Sequence, residues 1–204
     1  MFAVLFLTAC LPGPTARSGK RTITVYAFSI MKESLEKDIY PAFAAKWKNE
    51  HGEEVVFNSS FAGSETITNQ ILQGAPADFA ILSIEMDVQR LIKAGHVPQD
   101  WWVTPQRGIV NRTPFVILVR PGNPKGIADF ADLGKPGVQL IHPDPISSGG
   151  AQWSILSIYG SELKKSEAES GTQDQARAVA TLQSVWKNVM VTPESARAAR
   201  TTFE

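Results

Sequence analysis

One strand-to-helix turn constrains this chain more than any other segment. The apolar residues 138–141 are typical of a strand, residues 153–163 are typical of a helix, and Ser-Ser-Gly-Gly at 147–150 lies between them. The first N–H groups of a helix have no partner within the helix, and the helix dipole favours negative charge there. Glycine also lets the backbone approach a ligand closely. The turn therefore predicts either an ordinary serine-capped helix or an anion site that needs no metal.

Segments typical of strands alternate with segments typical of helices along the rest of the chain. The further strand-like segments are 22–26, 54–58, 79–82, 114–120 and 188–192. Helical patterns follow them over 31–47, with Pro41 expected to kink or split the helix, and over 67–72, 88–95, 127–133, 176–187 and 193–200. Such alternation favours parallel sheets, and the continuous apolar runs are typical of strands covered on both faces. We expect an α/β fold of mostly parallel sheets with flanking helices.

The segment 114–120 is followed by Pro-Gly-Asn-Pro, which is typical of a hinge between two units. We therefore expect a first lobe over residues 22–112, and a hinge strand with part of a second lobe over residues 113–204.

The N-terminal residues resemble a bacterial lipoprotein signal peptide. Residues 1–10 are apolar and end in Leu-Thr-Ala-Cys, which matches the motif after which the cysteine is acylated. Residues 11–21 are rich in Pro, Gly, Ser and Thr and are typical of a flexible tether. This segment predicts lipid anchoring through Cys10, although an incidental or buried cysteine is the alternative.

Composition and spacing argue against several classes of function. Twenty basic residues balance twenty acidic ones, and no basic stripe indicates nucleic-acid binding. After the N-terminal segment, no apolar run is long enough to span a membrane. We also find no metal-ligand spacing and no nucleophile elbow, so neither a metal site nor an enzyme is expected. Glu85 and Asp87, which follow a strand, are expected to cap a helix, with a carboxylate role at the cleft as the alternative. The charged run 162–169 is expected to be solvated.

Four strand-to-helix junctions carry small or hydroxyl residues. They lie at 28–29, where Ser29 is the expected N-cap, and at 62–64, 147–150 and 195–197. Ligands of open parallel sheets bind at the carboxyl ends of the strands. Two junctions fall in each expected lobe, so all four helix starts can face one small anion between the lobes.

Several motifs, in order and spacing, are similar to those of the periplasmic sulfate-binding proteins of ABC importers. The most specific is Ser-Ser-Gly-Gly-Ala-Gln-Trp at 147–153, preceded by Phe-Val-Ile-Leu-Val-Arg-Pro-Gly-Asn-Pro-Lys at 115–125. Supporting motifs lie at 43–47, 62–64, 77–78, 132–133, 135–138 and 195–197. The resemblance spans roughly residues 22–204 and implies a two-lobed fold that closes on a dehydrated tetrahedral oxyanion.

The resemblance, together with the four junctions, gives the candidate ligand-binding residues. They are Ser29, Gly63, Ser64, Ser148, Gly149, Gly150, Ala196 and Arg197. Ser64 and Ser148 would donate hydroxyl or N–H bonds, the glycines and Ala196 would donate N–H bonds, and Arg197 would support the site from behind. No cofactor is expected, and the expected partners are the membrane subunits of an ABC permease, with a monomeric receptor outside the cytoplasm.

The identity of the anion stays open at this stage. The family's usual Tyr-Asp-Pro-Thr-Arg-Glu is Tyr-Ala-Phe-Ser-Ile-Met at 26–31, and Gln152 replaces its usual arginine. Sulfate is expected first, with thiosulfate, molybdate or phosphate as possibilities. Because family members continue past the point that matches Glu204, we expect an incomplete second lobe. The alternatives are a two-lobed sensor or orphan receptor for a small organic anion and, less favoured, an enzyme on the same fold.

Overall fold

A three-stranded parallel sheet forms the first part of the structure. The computed structural model describes residues 19–204, so Cys10 and the predicted signal peptide lie outside the described residues. The central strand β1 (Lys20–Phe28) pairs with β2 (Glu54–Ala62) on one side and with β3 (Phe79–Ile81) on the other. The predicted parallel sheet is confirmed. The predicted tether is wrong at its end, because Arg21 already pairs with Val55 in the sheet.

The connection from β1 to β2 changes its helical geometry three times. A 3₁₀ turn (Ser29–Met31) leads into the short helix α1 (Lys32–Ser34), then into a π-helical segment (Leu35–Ile39) and finally into α2 (Tyr40–His51). Pro41 lies in the first turn of α2, directly after the π-helical segment. The chain stays helical from Ser29 to His51, so in place of the expected kink or split there is a change from π to α geometry at Tyr40.

Two more helices complete the first part and cover the sheet. Helix α3 (Ser64–Leu72) follows β2, and α4 (Glu85–Lys93) follows β3. The core on one face contains Val25, Ala27, Met31, Leu35 and Ile81. Ile67, Ile71 and Leu91 bury the inner faces of α3 and α4. The apolar spacing of these helices thus predicted the buried positions.

A second, two-stranded parallel sheet organises the rest of the chain. Strand β4 (Leu140–Ile141) pairs with β5 (Val189–Val191). Helices α5 (Gly149–Ser170) and α6 (Gln175–Lys187) connect these strands, a 3₁₀ turn (Ala131–Gly134) precedes them, and α7 (Ala196–Phe203) follows. Leu133, Ile158 and Val185 form its core. None of the helices in residues 19–204 is long and apolar enough to cross a membrane.

The expected hinge strand at 114–120 is wrong. None of these residues pairs with a described strand, and the side chains of Val116 and Leu118 are 71% and 56% exposed. β-Branched residues favour a strand, but a strand exists only where a neighbouring segment accepts its backbone hydrogen bonds.

The expected helix at 127–133 is reduced to its last turn. The backbone N–H groups of Ala128 and Asp129 donate to the carboxylate of Asp132, and that of Ile127 donates to Asn123. Such side-chain bonds offer the backbone an alternative to helical pairing.

The expectation that the run 162–169 is solvated is wrong at Glu162. This residue is only 2% exposed, because it lies on the face of α5 that packs against α6. Its carboxylate pairs with Lys165 at 2.7 Å and with Arg177 of α6 at 3.0 Å. A buried carboxylate persists where cations and hydrogen bonds compensate its lost hydration.

Candidate functional site

Three of the four junctions meet at Gly63. A Cβ atom added to Gly63 would lie 2.1 Å from the carbonyl oxygen of Ser147 and 2.9 Å from that of Glu194. Only glycine fits at such a distance, because neither backbone can move away cheaply. The start of α3 therefore lies directly against the turns that precede α5 and α7.

The fourth junction joins the group through α7. The backbone N–H of Arg197 donates to Ser29 Oγ at 3.4 Å, and its guanidinium donates twice to Glu33 Oε1, at 2.9 and 2.8 Å. These hydrogen bonds from Arg197 hold the pKa of Glu33 below its usual value. Ser29 is not the expected N-cap, because its side chain bonds to α7 rather than to its own helix. The predicted convergence of the four junctions is nevertheless found.

The start of α5 leaves two glycine N–H groups uncommitted. Ser148 is the N-cap and accepts from the Ala151 N–H, so the predicted serine cap is confirmed. The N–H of Ser148 donates to Asp144 O at 2.9 Å. Among residues 19–204, neither Gly149 nor Gly150 donates its N–H to a protein acceptor.

The starts of α7 and α3 also leave N–H groups uncommitted. Ser195 caps α7 by accepting from the Ala198 N–H at 3.2 Å, and its carbonyl accepts from Ala199. Within the described chain, the N–H groups of Ala196 and Ser64 have no hydrogen-bond partner. Backbone donors thus remain at the starts of α3, α5 and α7, which meet here.

The hydroxyl groups of the site are removed from water. Those of Ser29, Ser64, Ser148 and Ser195 belong to residues that are at most 6% exposed. A hydrogen bond to a charged group is strong where water is excluded. Buried hydroxyl and N–H donors of this kind can hold an anion without a neighbouring cation.

Asp87 takes the alternative role of a carboxylate at the site rather than the expected capping role. Ser64 Oγ donates to Asp87 Oδ2 at 2.6 Å and accepts from the N–H of Ser83 at 3.0 Å. The expected capping role is wrong, because Ile84 occupies the N-cap position of α4 and Asp87 lies inside the first turn. Its spacing of four residues from buried Leu91 was the available signal, since it places Asp87 on the inner face of α4.

Burial controls the protonation of Asp87. The side chain is fully buried, and this desolvation raises its pKa to about 6, although the hydrogen bond from Ser64 acts in the opposite direction. Arg90 lies 3.7 Å from Asp87 Oδ1 and donates to Glu65 and Asn69. The hydroxyl proton of Ser64 is committed to this carboxylate, which leaves its backbone N–H as the donor for a ligand.

Two side chains of α5 reach the loop after β3 and helix α3. Trp153 Nε1 donates to the carbonyl of Ser83 at 3.0 Å. Gln152 Nε2 donates to Pro145 O at 3.0 Å and reaches Glu65 Oε1 at 3.4 Å. These bonds fix the start of α5 against the loop that follows β3. In residues 19–204, no group of three or more His, Cys, Asp or Glu side chains could hold a metal ion.

The sequence is similar to those of known solute-binding proteins. A family model described as bacterial extracellular solute-binding protein matches residues 23–204. The chain is 34% identical to a sulfate-binding protein of Synechococcus elongatus, over 98% of this chain and 57% of the relative. It is 37% identical to a sulfate-binding protein of Escherichia coli, over 79% of this chain and 48% of the relative. It is 32% identical to a thiosulfate-binding protein of Pseudomonas aeruginosa, over 100% of this chain and 60% of the relative.

A solved structure is similar to this chain in both fold and sequence. The sulfate-binding protein SubI from Mycobacterium tuberculosis matches with a TM-score of 0.73 and 31% identity, over 90% of this chain and 61% of that one. The chain spans about half the length of the curated relatives it matches. Because the family model covers nearly all of the described residues, this chain belongs to the bacterial extracellular solute-binding proteins.

Proposed function

We propose that this chain is the extracytoplasmic solute-binding component of an ABC importer and that it binds a tetrahedral oxyanion, with sulfate as the first candidate. The observation that carries the proposal is the meeting of three helix starts at Gly63, joined by the fourth through the hydrogen bond from the Arg197 N–H to Ser29 Oγ, with backbone N–H groups left uncommitted. A helix N-terminus favours negative charge, and its N–H groups point at a ligand.

Each candidate residue has a role in this proposal. The N–H groups of Ser64, Gly149, Gly150 and Ala196 donate to the oxygens of the anion, and the hydroxyls of Ser29 and Ser148 add two donors. Gly63 permits the close approach of the junctions. Arg197 acts from behind, because Glu33 already engages its guanidinium.

Neutral donors favour a fully ionised anion such as sulfate. Such a site offers hydrogen-bond donors on every side, and an anion that keeps a proton would place a donor against a donor. The names of the relatives support an oxyanion, since they include sulfate-, thiosulfate- and molybdate-binding proteins. We therefore expect the highest affinity for sulfate, a lower affinity for thiosulfate and molybdate, and the lowest for phosphate.

The proposal includes a location and a partner. The chain acts in the periplasm or on the outer face of the cell membrane, as a monomer that delivers its anion to permease subunits. Residues 20–112 and 113–204 form its two lobes, the first of them beginning with β1. Acylation of Cys10 holds the protein on the membrane.

Cys10→Ser tests the anchor. The variant removes the sulfur that would be acylated, so it should appear in the soluble fraction of a cell lysate while the unaltered protein sediments with membranes. Thr8→Ser is the matched control, because it changes a neighbouring residue and leaves the sulfur in place. Membrane association of Cys10→Ser equal to that of the unaltered protein would contradict lipid anchoring.

Calorimetric titration tests the ligand. Sulfate, thiosulfate, molybdate and phosphate are titrated separately into the full gene product that contains this sequence, and a small organic dicarboxylate serves as comparison. Saturable binding of sulfate, stronger than that of phosphate, supports the proposal. Binding of the dicarboxylate without any oxyanion, or binding of none of the five, contradicts it.

A further inference from the structure

Ser83 is held between two of the helix starts described above. It follows β3, and its backbone N–H donates to Ser64 Oγ at 3.0 Å. Its carbonyl accepts from Trp153 Nε1 at 3.0 Å. These two bonds fix the backbone of Ser83 between the start of α3 and the start of α5, so the position of its side chain is well defined.

The hydroxyl of Ser83 is the exception among the buried hydroxyls at this place. Its oxygen is shielded from solvent, yet within residues 19–204 it makes no hydrogen bond. The oxygens of Ser64, Ser148 and Ser195 each bond to a neighbouring group. A buried hydroxyl without a partner costs free energy, and such a group in a native protein calls for a ligand, an ion or another function.

The unpaired oxygen faces the start of α5. A Cβ atom added to Gly149 would lie 2.4 Å from Ser83 Oγ and 3.1 and 3.2 Å from Cγ2 and Cγ1 of Ile84. The hydroxyl therefore occupies space that any side chain at 149 would need. It lies beside one of the glycines whose N–H groups are uncommitted.

We infer that Ser83 is a further ligand-contacting residue, which donates its hydroxyl proton to an oxygen of the tetrahedral oxyanion beside the Gly149 N–H. This inference rests on the proposed function and extends it by one residue. Its chemistry is that of a neutral donor: the bound anion supplies the acceptor that the protein does not. Hydrogen bonds to charged groups are stronger than those between neutral groups, so the contribution to affinity should be measurable.

Ser83→Ala separates this role from a structural one. Removing a hydroxyl that has no partner in the protein should leave the unfolding temperature without anion unchanged or slightly higher. The same change should weaken sulfate binding by about tenfold or more, and the rise in unfolding temperature on adding sulfate should shrink accordingly. Opposite effects on the free and the bound protein are expected only if the hydroxyl serves the ligand.

Ser157→Ala is the matched control. Ser157 lies on the exposed side of α5 and donates to Trp153 O, away from the helix start. Its replacement should not change sulfate affinity. Equal sulfate affinity of Ser83→Ala and the unaltered protein would overturn the role of Ser83 and leave the proposed function in place. If the unaltered protein binds none of the four oxyanions, the proposed function fails, and this inference fails with it.

Discussion

The hydroxyl of Ser64 donates to Asp87 Oδ2 over 2.6 Å, and both residues are buried. A carboxylate therefore lies directly behind a proposed anion-binding residue. It fixes the orientation of Ser64 and accepts the hydrogen bond of its hydroxyl, which leaves the backbone N–H of Ser64 as the donor for the ligand. Arg90, 3.7 Å from Asp87 Oδ1, compensates the negative charge of the ionised form, whereas burial favours the neutral, protonated form.

Asp87 should make stability depend on pH in a defined window. Burial raises its pKa from 3.8 to about 6, so between these values the folded protein binds more protons than the unfolded chain. Stability then falls as pH rises through this window and no longer changes through Asp87 above it. We expect Asp87→Asn to remove that decrease, measured as the free energy of unfolding by denaturant between pH 4 and pH 7.

Glu167→Gln is the control for this pH series. Glu167 is an exposed carboxylate on α5. In Glu167→Gln, the free energy of unfolding should fall between pH 4 and pH 7 by as much as in the unaltered protein. A decrease of the same size in the unaltered protein and in Asp87→Asn would show that another group titrates in this window.

Gly149→Ala should reduce anion affinity. The added methyl would lie 2.4 Å from Ser83 Oγ and 3.1 Å from Ile84, which pushes the start of α5 away from the other junctions. We expect a loss of about tenfold or more in sulfate affinity, since displaced donors lose charge-assisted hydrogen bonds. Calorimetry on Gly160→Ala gives the comparison, because that glycine is in the same helix and has open space around it. Equal affinity of the two variants would contradict the placement of the site.

Glu33 should influence binding through Arg197. The carboxylate of Glu33 accepts two hydrogen bonds from the guanidinium of Arg197. The backbone N–H of Arg197 donates to Ser29 Oγ. Glu33→Gln leaves a weaker acceptor, so α7 is held less firmly, and we expect sulfate affinity to fall by about two- to fivefold. In the matched variant Glu36→Gln, a more distant pair with Lys32 is lost and affinity should not change. An effect of Glu36→Gln as large as that of Glu33→Gln would rule out the positioning role.

Glu162 should be more important for stability than its neighbours on α5. Its side chain is 3% exposed and pairs with Lys165 and Arg177. Glu162→Ala leaves both cations without this partner and opens a gap between α5 and α6, at an expected cost of about 1–3 kcal/mol. Denaturant unfolding of Glu167→Ala, an exposed position of the same helix, should show a change below about 0.5 kcal/mol. Similar values for the two variants would mean that Glu162 contributes no more than a surface charge.

The sequence predicted the junctions because their signals are local. A serine or glycine between a strand-like and a helix-like segment indicates a helix start, and Ser148 shows this directly as the N-cap of α5. The parallel arrangement of β1 with β2 and β3 also follows from the order of the elements. Both kinds of prediction need only residues close together in the chain.

The errors concern residues whose environment depends on distant parts of the chain. Asp87 is buried because α4 packs on α3, which places it beside Ser64, 23 positions earlier. Glu162 is buried because Arg177 of the next helix reaches it. The segment 114–120 has the composition of a strand, but a strand requires a partner that composition does not specify.

Amide chemical shifts on titration with sulfate test the central claim most directly. The account places the anion where the starts of α3, α5 and α7 meet, so the largest shifts in a ¹H–¹⁵N correlation spectrum should belong to Ser64, Gly149, Gly150 and Ala196. Downfield amide proton shifts at these residues, saturating together, are the predicted result. Saturable shifts confined to other residues, or no shifts at sulfate concentrations that saturate the calorimetric signal, would contradict the account.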